Sequence, residues 1–172
     1  MTHQSPLYLL VSGASAGDNG PVTELVRLLQ DQSWRVMVLS TPTGARFHDL
    51  EALSDLTGEP VRVEFRLPGS GYSLPPGAAV IACPWSFNST NKLALGLADN
   101  FAVALACEMI GRSVPTLVVP KTGAPLAAHP AFERSLRELD QMPSVSVLRG
   151  EGGLPPWQEV VEALSSRIRG SG

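Results

Sequence analysis

Short, continuously apolar runs alternate with amphipathic stretches along this chain. Residues 8–12 (YLLVS), 34–40 (WRVMVLS), 78–83 (AAVIAC), 116–120 (TLVVP) and 145–149 (VSVLR) have the length and composition of strands. Residues 61–67 (VRVEFRL) alternate, which predicts a further strand or an edge. Between the runs, apolar residues take helical spacing. Val22, Leu25, Val26, Leu28 and Leu29 follow Pro21, which suits a first helical turn. Residues 45–58 read as a helix closed by Gly58, and 87–112 as one long helix. Helices are also expected over 129–142 and 156–170. Buried strands separated by helices predict an α/β fold: a single-domain, Rossmann-like, doubly wound parallel sheet with helices on both faces, spanning residues 1–172.

Composition narrows what such a domain does. Hydrophobic residues make up 44% and charged residues only 17%, a sparse charge cover that points to surface buried in a homo-oligomer. Net charge is −3 with no basic block, so nucleic acid is not an expected partner. Cys83 and Cys107 lie far apart and form no metal spacing. They read as buried thiols in a reducing cytoplasm. No basic region precedes the first apolar run, so no signal peptide is expected. The apolar stretch 93–110 is interrupted by Asp99, Asn100 and Glu108 and reads as a buried helix, not a membrane span.

In an open parallel sheet, ligands bind beyond the carboxyl ends of the strands. Here small polar residues collect at those ends: SGASAGDNG after the first strand, STPTGARF after the second, PWSFNSTN after AAVIAC, and PKTG after TLVVP. Backbone N–H groups at helix starts favour an anion, and hydroxyls and amides orient it. Each loop alone is explained by helix capping; four at one sheet edge predict a binding site. SGASAGDNG is not G-x-G-x-x-G, which ranks a nicotinamide dinucleotide lower.

The PWSFNSTN loop and its helix resemble the homo-oligomeric flavin-containing cysteine decarboxylases, to which flavin prenyltransferases are related. That family's hallmark is Pro-Ala-Ser-Ala-Asn-Thr followed by Lys-Ile-Ala-x-Gly-Ile-Ala-Asp-Asn. Pro84, Ser86, Asn88, Lys92, Ala94, Gly96, Ala98, Asp99 and Asn100 match it without a gap. TPTGARF (41–47) is similar to the family's Thr-Pro-Ser-Ala-Ala-Arg-Phe, and VSGASA more loosely to Val-Thr-Gly-Ser-Ile-Ala. The resemblance implies bound FMN and a trimer, or a multiple of trimers, burying part of helix 87–112. It implies Ser12, Gly13 and Ser15 near the phosphate, with hydroxyls from Thr41 and Thr43 and Phe47 packed on the flavin. Ser86 and Asn88 would face the ring and the substrate, and Pro84, Asp99 and Asn100 complete the implied cofactor set. The implied substrate is a small or peptidyl thiol-bearing carboxylate.

The chain departs from that pattern twice. The family's histidine before the buried strand falls near Ser70, and no histidine lies between His48 and His129. The family's Pro-x-Met-Asn-x-x-Met becomes PKTGAPL, with Thr122, Gly123 and Leu126 at the Met, Asn and Met positions. Tyr72 and Lys121 join Asn88 as candidate catalytic groups, Tyr72 as a proton donor. His129, before Pro130, starts a helix. The alternatives are a flavin-binding protein without decarboxylation, or a flavin prenyltransferase-like enzyme using Arg46, Lys121 and Arg134 toward a substrate phosphate.

Overall fold

The computed structural model describes residues 5–170. Five strands form one parallel sheet: β1 (Leu7–Val11), β2 (Val36–Ser40), β3 (Ala79–Trp85), β4 (Thr116–Pro120) and β5 (Val145–Val147). Their order is β2-β1-β3-β4-β5. Among the described residues seven α-helices connect and flank them: α1 (Val22–Asp31), α2 (Leu50–Thr57), α3 (Phe87–Leu95), α4 (Phe101–Gly111), α5 (Ala124–Ala127), α6 (Pro130–Asp140) and α7 (Trp157–Gly170). The arrangement is the doubly wound α/β sheet that the apolar runs predict.

The strand alternation builds two cores. Leu7, Leu9, Val11, Ile81 and Cys83 face α1, α2 and α7. Tyr8, Leu10, Val80 and Ala82 face α3, α4 and α6. Both faces are covered, so successive strand residues are nearly all apolar, Ser40 and Thr116 excepted, and β1, β2, β3 and β4 are buried along their whole length.

Three expectations about elements are corrected. Residues 61–67 form no strand. Only Arg62 reaches the sheet, bridging to Leu39 on the outer edge of β2, with Ser40 N–H donating to Arg62 O at 2.9 Å. The chain then turns around that edge to the second face, where the Phe65 ring sits 5.6 Å from Phe101. The charges and Gly/Pro-rich sequel leave nothing to continue the pairing. The long helix expected over 87–112 is two helices. Gly96 adopts a left-handed conformation (φ 69°), and Leu97 N–H closes back on Lys92 O at 2.8 Å. Asn100 then caps α4 by accepting Val103 N–H at 3.1 Å. Residues 45–58 likewise divide, into a tight turn at 44–46 and α2, which Asp49 caps through Ala52 N–H.

The strand order has a switch point. The chain leaves β1 toward β2 and returns to place β3 on the other side of β1. Loops on either side of such a point diverge and leave a crevice at the carboxyl edge.

Candidate active site

The crevice is a cleft of about 630 Å³, lined by residues from four strand-end loops. Gly13, Ala14 and Ser15 follow β1; Thr41, Pro42 and Thr43 follow β2. Ser86, Phe87, Asn88, Ser89 and Lys92 come from the end of β3 and from α3, and Asp99 and Asn100 from the turn into α4. Lys121, Thr122, Gly123 and Leu126 follow β4.

The loops are locked together by buried hydrogen bonds. Ser12, fully buried, donates its hydroxyl proton to Pro84 O at 2.8 Å and accepts Ser86 N–H at 2.8 Å. Thr41 Oγ1 accepts Gly44 N–H at 2.9 Å. The first two loops also touch directly: a Cβ on Gly13 would stand 2.6 Å from Thr43 Cγ2, and one on Gly44 2.9 Å from Ser12 Cα. Glycine is required at both places by close approach. His48 braces the pair from below, with Nε2 3.0 Å from Ser12 O. Burial lowers the His48 pKa below its usual 6.5, while bonds to the Ser12 and Ala14 backbone pull the other way. The neutral ring, donating to Ser12 O, is therefore the favoured form. The register between β3 and β4 shifts between Ala82 and Trp85, and Lys121 N–H joins Trp85 O at 2.8 Å.

The side-chain chemistry of the cleft is mostly neutral. Ser86 Oγ accepts Ser89 N–H at the start of α3 and keeps its own proton to donate. Lys92 grips both oxygens of Asp99 at 2.9 and 2.8 Å, and this bond holds the Asp99 carboxyl below its ordinary pKa. Lys121 has no carboxylate partner among the described residues. The exposed Asn88 amide has no side-chain hydrogen bond among the described residues, so its donors and its acceptor are free for a ligand.

The sequence-predicted residues divide by position. Gly13, Ser15, Thr41, Thr43, Ser86, Asn88, Asp99, Asn100 and Lys121 line the cleft. Ser12 and Pro84 lie behind it, buried and bonded to each other, so each shapes the wall without facing the cavity. Phe47 stands beside Gly13, half exposed and outside the lining set. Tyr72 does not line this cleft within one chain; it lines a second groove. It is 94% exposed on a connection that Tyr8 anchors through Pro75 O, over α4 on the second face. That Tyr8 hydroxyl is driven by burial to a pKa of about 12 and remains a proton donor to Pro75 O. Of the other residues considered for a substrate phosphate, Arg46 and Arg134 do not line the cleft. Ala14, Pro42, Phe87 and Ser89 line it without having been singled out; each neighbours a loop residue that was, and only the turn geometry shows which of two neighbours faces in.

A neutral, small-residue cleft at the switch point of a doubly wound parallel sheet is the architecture of a mononucleotide- or flavin-binding protein. Residues 1–169 match the Flavoprotein family, and the chain belongs to it. Solved structures agree in fold. The chain is similar to the FMN-dependent cysteine decarboxylase SpaF at 17% identity, with 98% of each chain covered and a TM-score of 0.77. It is similar to the epidermin biosynthesis protein EpiD from Staphylococcus aureus at 17% identity, covering 92% of this chain and 99% of that one, with a TM-score of 0.73. A third likeness is to AnUbiX (PadA1) in complex with FMN and dimethylallyl pyrophosphate, at 12% identity, 84% and 77% coverage, and a TM-score of 0.68. Comparison with curated proteins finds no match.

The residues present fit a flavin. The volume suits a mid-sized ligand. The Gly13–Thr43 contact holds the loops after β1 and β2 against each other, and Ser15, Thr41 and Thr43 of those loops line the cleft. Neutral donors suit a dianion at a sheet edge. No helix among the described residues is long and apolar enough to cross a membrane.

Proposed function

We propose that this chain binds FMN in the cleft, with the phosphate at the loops after β1 and β2 and the ring toward Asn88. The flavin would supply hydride acceptance from a small or peptidyl thiol-bearing carboxylate. Ser15, Thr41 and Thr43 offer neutral donors to the phosphate. Asn88 presents an amide that donates to a carboxylate and accepts from a ring N–H at once. Lys121, with no carboxylate partner among the described residues, lines the cleft at the end of β4 and would meet a substrate carboxylate. The observation that carries this reading is the Asn88 amide, which has no side-chain hydrogen bond among the described residues, in a cleft whose other lining is mostly hydroxyls and apolar groups.

A second reading is favoured by a specific observation. Among the described lining residues, the ionisable groups are Lys92 and Asp99, which neutralise each other, and Lys121. Thr122 and Gly123 occupy the positions where the resembling decarboxylases carry Met-Asn. A cleft so poor in proton donors supports flavin binding with altered or absent decarboxylation. Within one chain Tyr72 takes no part; a role for it requires a second copy. Exposed Phe47, Leu95, Leu97 and Leu126 around the cleft support a homo-oligomer, and we place the trimer contact there.

An absorption spectrum of the purified protein, followed by phosphate analysis of the released cofactor, tests the FMN assignment. A protein that stays colourless after incubation with FMN refutes it. Mass spectrometry of a cysteine-terminated peptide after incubation separates the two readings: loss of carbon dioxide and two hydrogens supports the first, an unchanged peptide the second.

A further inference from the structure

A second groove, of about 410 Å³, lies between α4 and the connection that follows Arg62. Both ends of that connection are pinned, Arg62 to the β2 edge and Pro75 to the Tyr8 hydroxyl at 2.5 Å. Near its start, Phe65 rests on Phe101, with ring centroids 5.6 Å apart. The groove is therefore built before any ligand arrives.

Its charge is one-sided. Arg62, Arg66 and Arg112 line it, and Glu108 is the one carboxylate among the described lining residues. Glu108 is already held by Arg112, at 2.8 Å from Nη2. The Arg62 guanidinium stands 5.6 Å from the Phe101 ring centroid, and Arg66 gives one hydrogen to Gly71 O at 2.7 Å. A guanidinium has five N–H donors, so most of this set is uncommitted. Carboxylates match it, since they accept two parallel bonds from one guanidinium. Half-exposed Phe65 and fully exposed Tyr72 add aromatic surface for an apolar side chain. This basic pocket sits on a chain whose net charge is −3, so its local field runs against that of the molecule.

The groove also adjoins the cleft. Asn100 lines the cleft, and Phe101, the next residue, lines the groove. From there α4 runs for 11 residues, about 16 Å. An extended peptide covers that length in about five residues. A free amino acid held in the cleft cannot reach Arg112; a peptide can.

We propose that this groove docks an acidic segment of a peptide substrate, upstream of the residue that enters the cleft. This rests on the reading of the cleft as a site for a peptidyl thiol-bearing carboxylate. Carboxylates of the segment pair with Arg66 and Arg112, and an apolar side chain between them packs against Phe65 and Phe101.

The test uses the full chain loaded with FMN and short fluorescent peptides ending in cysteine, each with one phenylalanine. One is rich in glutamate, one in glutamine and one in lysine. The glutamate peptide binds at least about tenfold tighter than the glutamine peptide, and the difference shrinks as salt is raised. The double variant R66E/R112E, whose changes are on exposed side chains, inverts the preference toward the lysine peptide and leaves FMN affinity unchanged. Equal binding of the three peptides, or a glutamate preference that survives R66E/R112E, overturns the proposal. So does a wild-type oligomer that excludes peptide and falls apart in R66E/R112E by sedimentation, which makes the groove a contact between copies. A glutamate preference that inverts as expected without any turnover upholds the groove and refutes the decarboxylase reading of the cleft.

Discussion

The Ser12 hydroxyl takes the amide proton of Ser86 at 2.8 Å, and so one buried oxygen ties the loop after β1 to the loop after β3. The same hydroxyl gives its proton to Pro84 O. Ser12 is thus a positioning residue for the two loops that face each other across the cleft.

Ser12→Ala leaves the Ser86 N–H without its acceptor in a part-buried place. The expected cost is about 1–3 kcal/mol, seen as a fall in Tm of about 2–10 °C for a chain of this size. FMN affinity falls with it, because the loops lose their spacing. Weakened FMN binding at unchanged Tm in Ser12→Ala would mean that the hydroxyl meets the cofactor directly.

Asn88→Asp separates site from scaffold. Asn88 is exposed and does not cap α3, so the apoprotein's stability stays within about 0.5 kcal/mol of wild type. The introduced carboxylate repels an anionic substrate and removes the amide donors. Flavin affinity or turnover falls by about tenfold or more, measured by titration and single-turnover assay. Unchanged values in both would remove Asn88 from the site.

The Gly13–Thr43 contact is testable as a pair. Gly13→Ala places a methyl group 2.6 Å from Thr43 Cγ2 and forces the loops apart. Overpacking of this kind costs about 1–3 kcal/mol. Thr43→Ser deletes the colliding Cγ2 and keeps the hydroxyl, so G13A/T43S recovers most of the lost stability and FMN affinity. A double-mutant cycle with no coupling energy contradicts the contact.

His48 makes the cleft sensitive to acid. Its folded pKa lies below 6.5, so the unfolded chain takes up the proton first as pH falls. The stabilisation is complete above pH 6.5 and is lost as pH drops through the folded pKa. His48→Gln keeps an N–H donor toward Ser12 O and removes the titration. Its Tm should therefore fall less steeply than wild type between about pH 8 and pH 5. Parallel Tm profiles would show that protons binding elsewhere dominate.

Much of this was legible in the chain because local patterns and tertiary demands agree. Continuous apolar strands mean burial on both faces, and both cores confirm it. Gly58 was expected to stop a helix and does so in the left-handed conformation, with φ 72°. Where local and global preferences competed, the reading failed. The apolar spacing of Leu93, Leu95, Leu97 and Phe101 runs through the break between α3 and α4. The Gly96 turn and the Asn100 cap were present as letters but outvoted by periodicity. Residues 61–67 have the alternation of a strand but lack a second strand to pair with beyond Arg62.

Parallel strands send all their carboxyl ends the same way, so the meeting of four loops of small polar residues at one sheet edge is written into the order of the chain. Which loop atoms face the cavity was decided only in three dimensions. A hydroxyl such as that of Ser12 is equally able to cap, to brace or to bind. Its choice depends on the Pro84 carbonyl and the Ser86 amide, more than seventy residues away in sequence. Tyr72 shows the converse. Its place in the sequence set it beside the strand that enters the site, but Tyr8 holds its loop on the other side of α4. Chain order encodes the direction of each strand; the long-range hydrogen bonds that bring Ser12 to Ser86, and Tyr8 to Pro75, exist only once the sheet has closed.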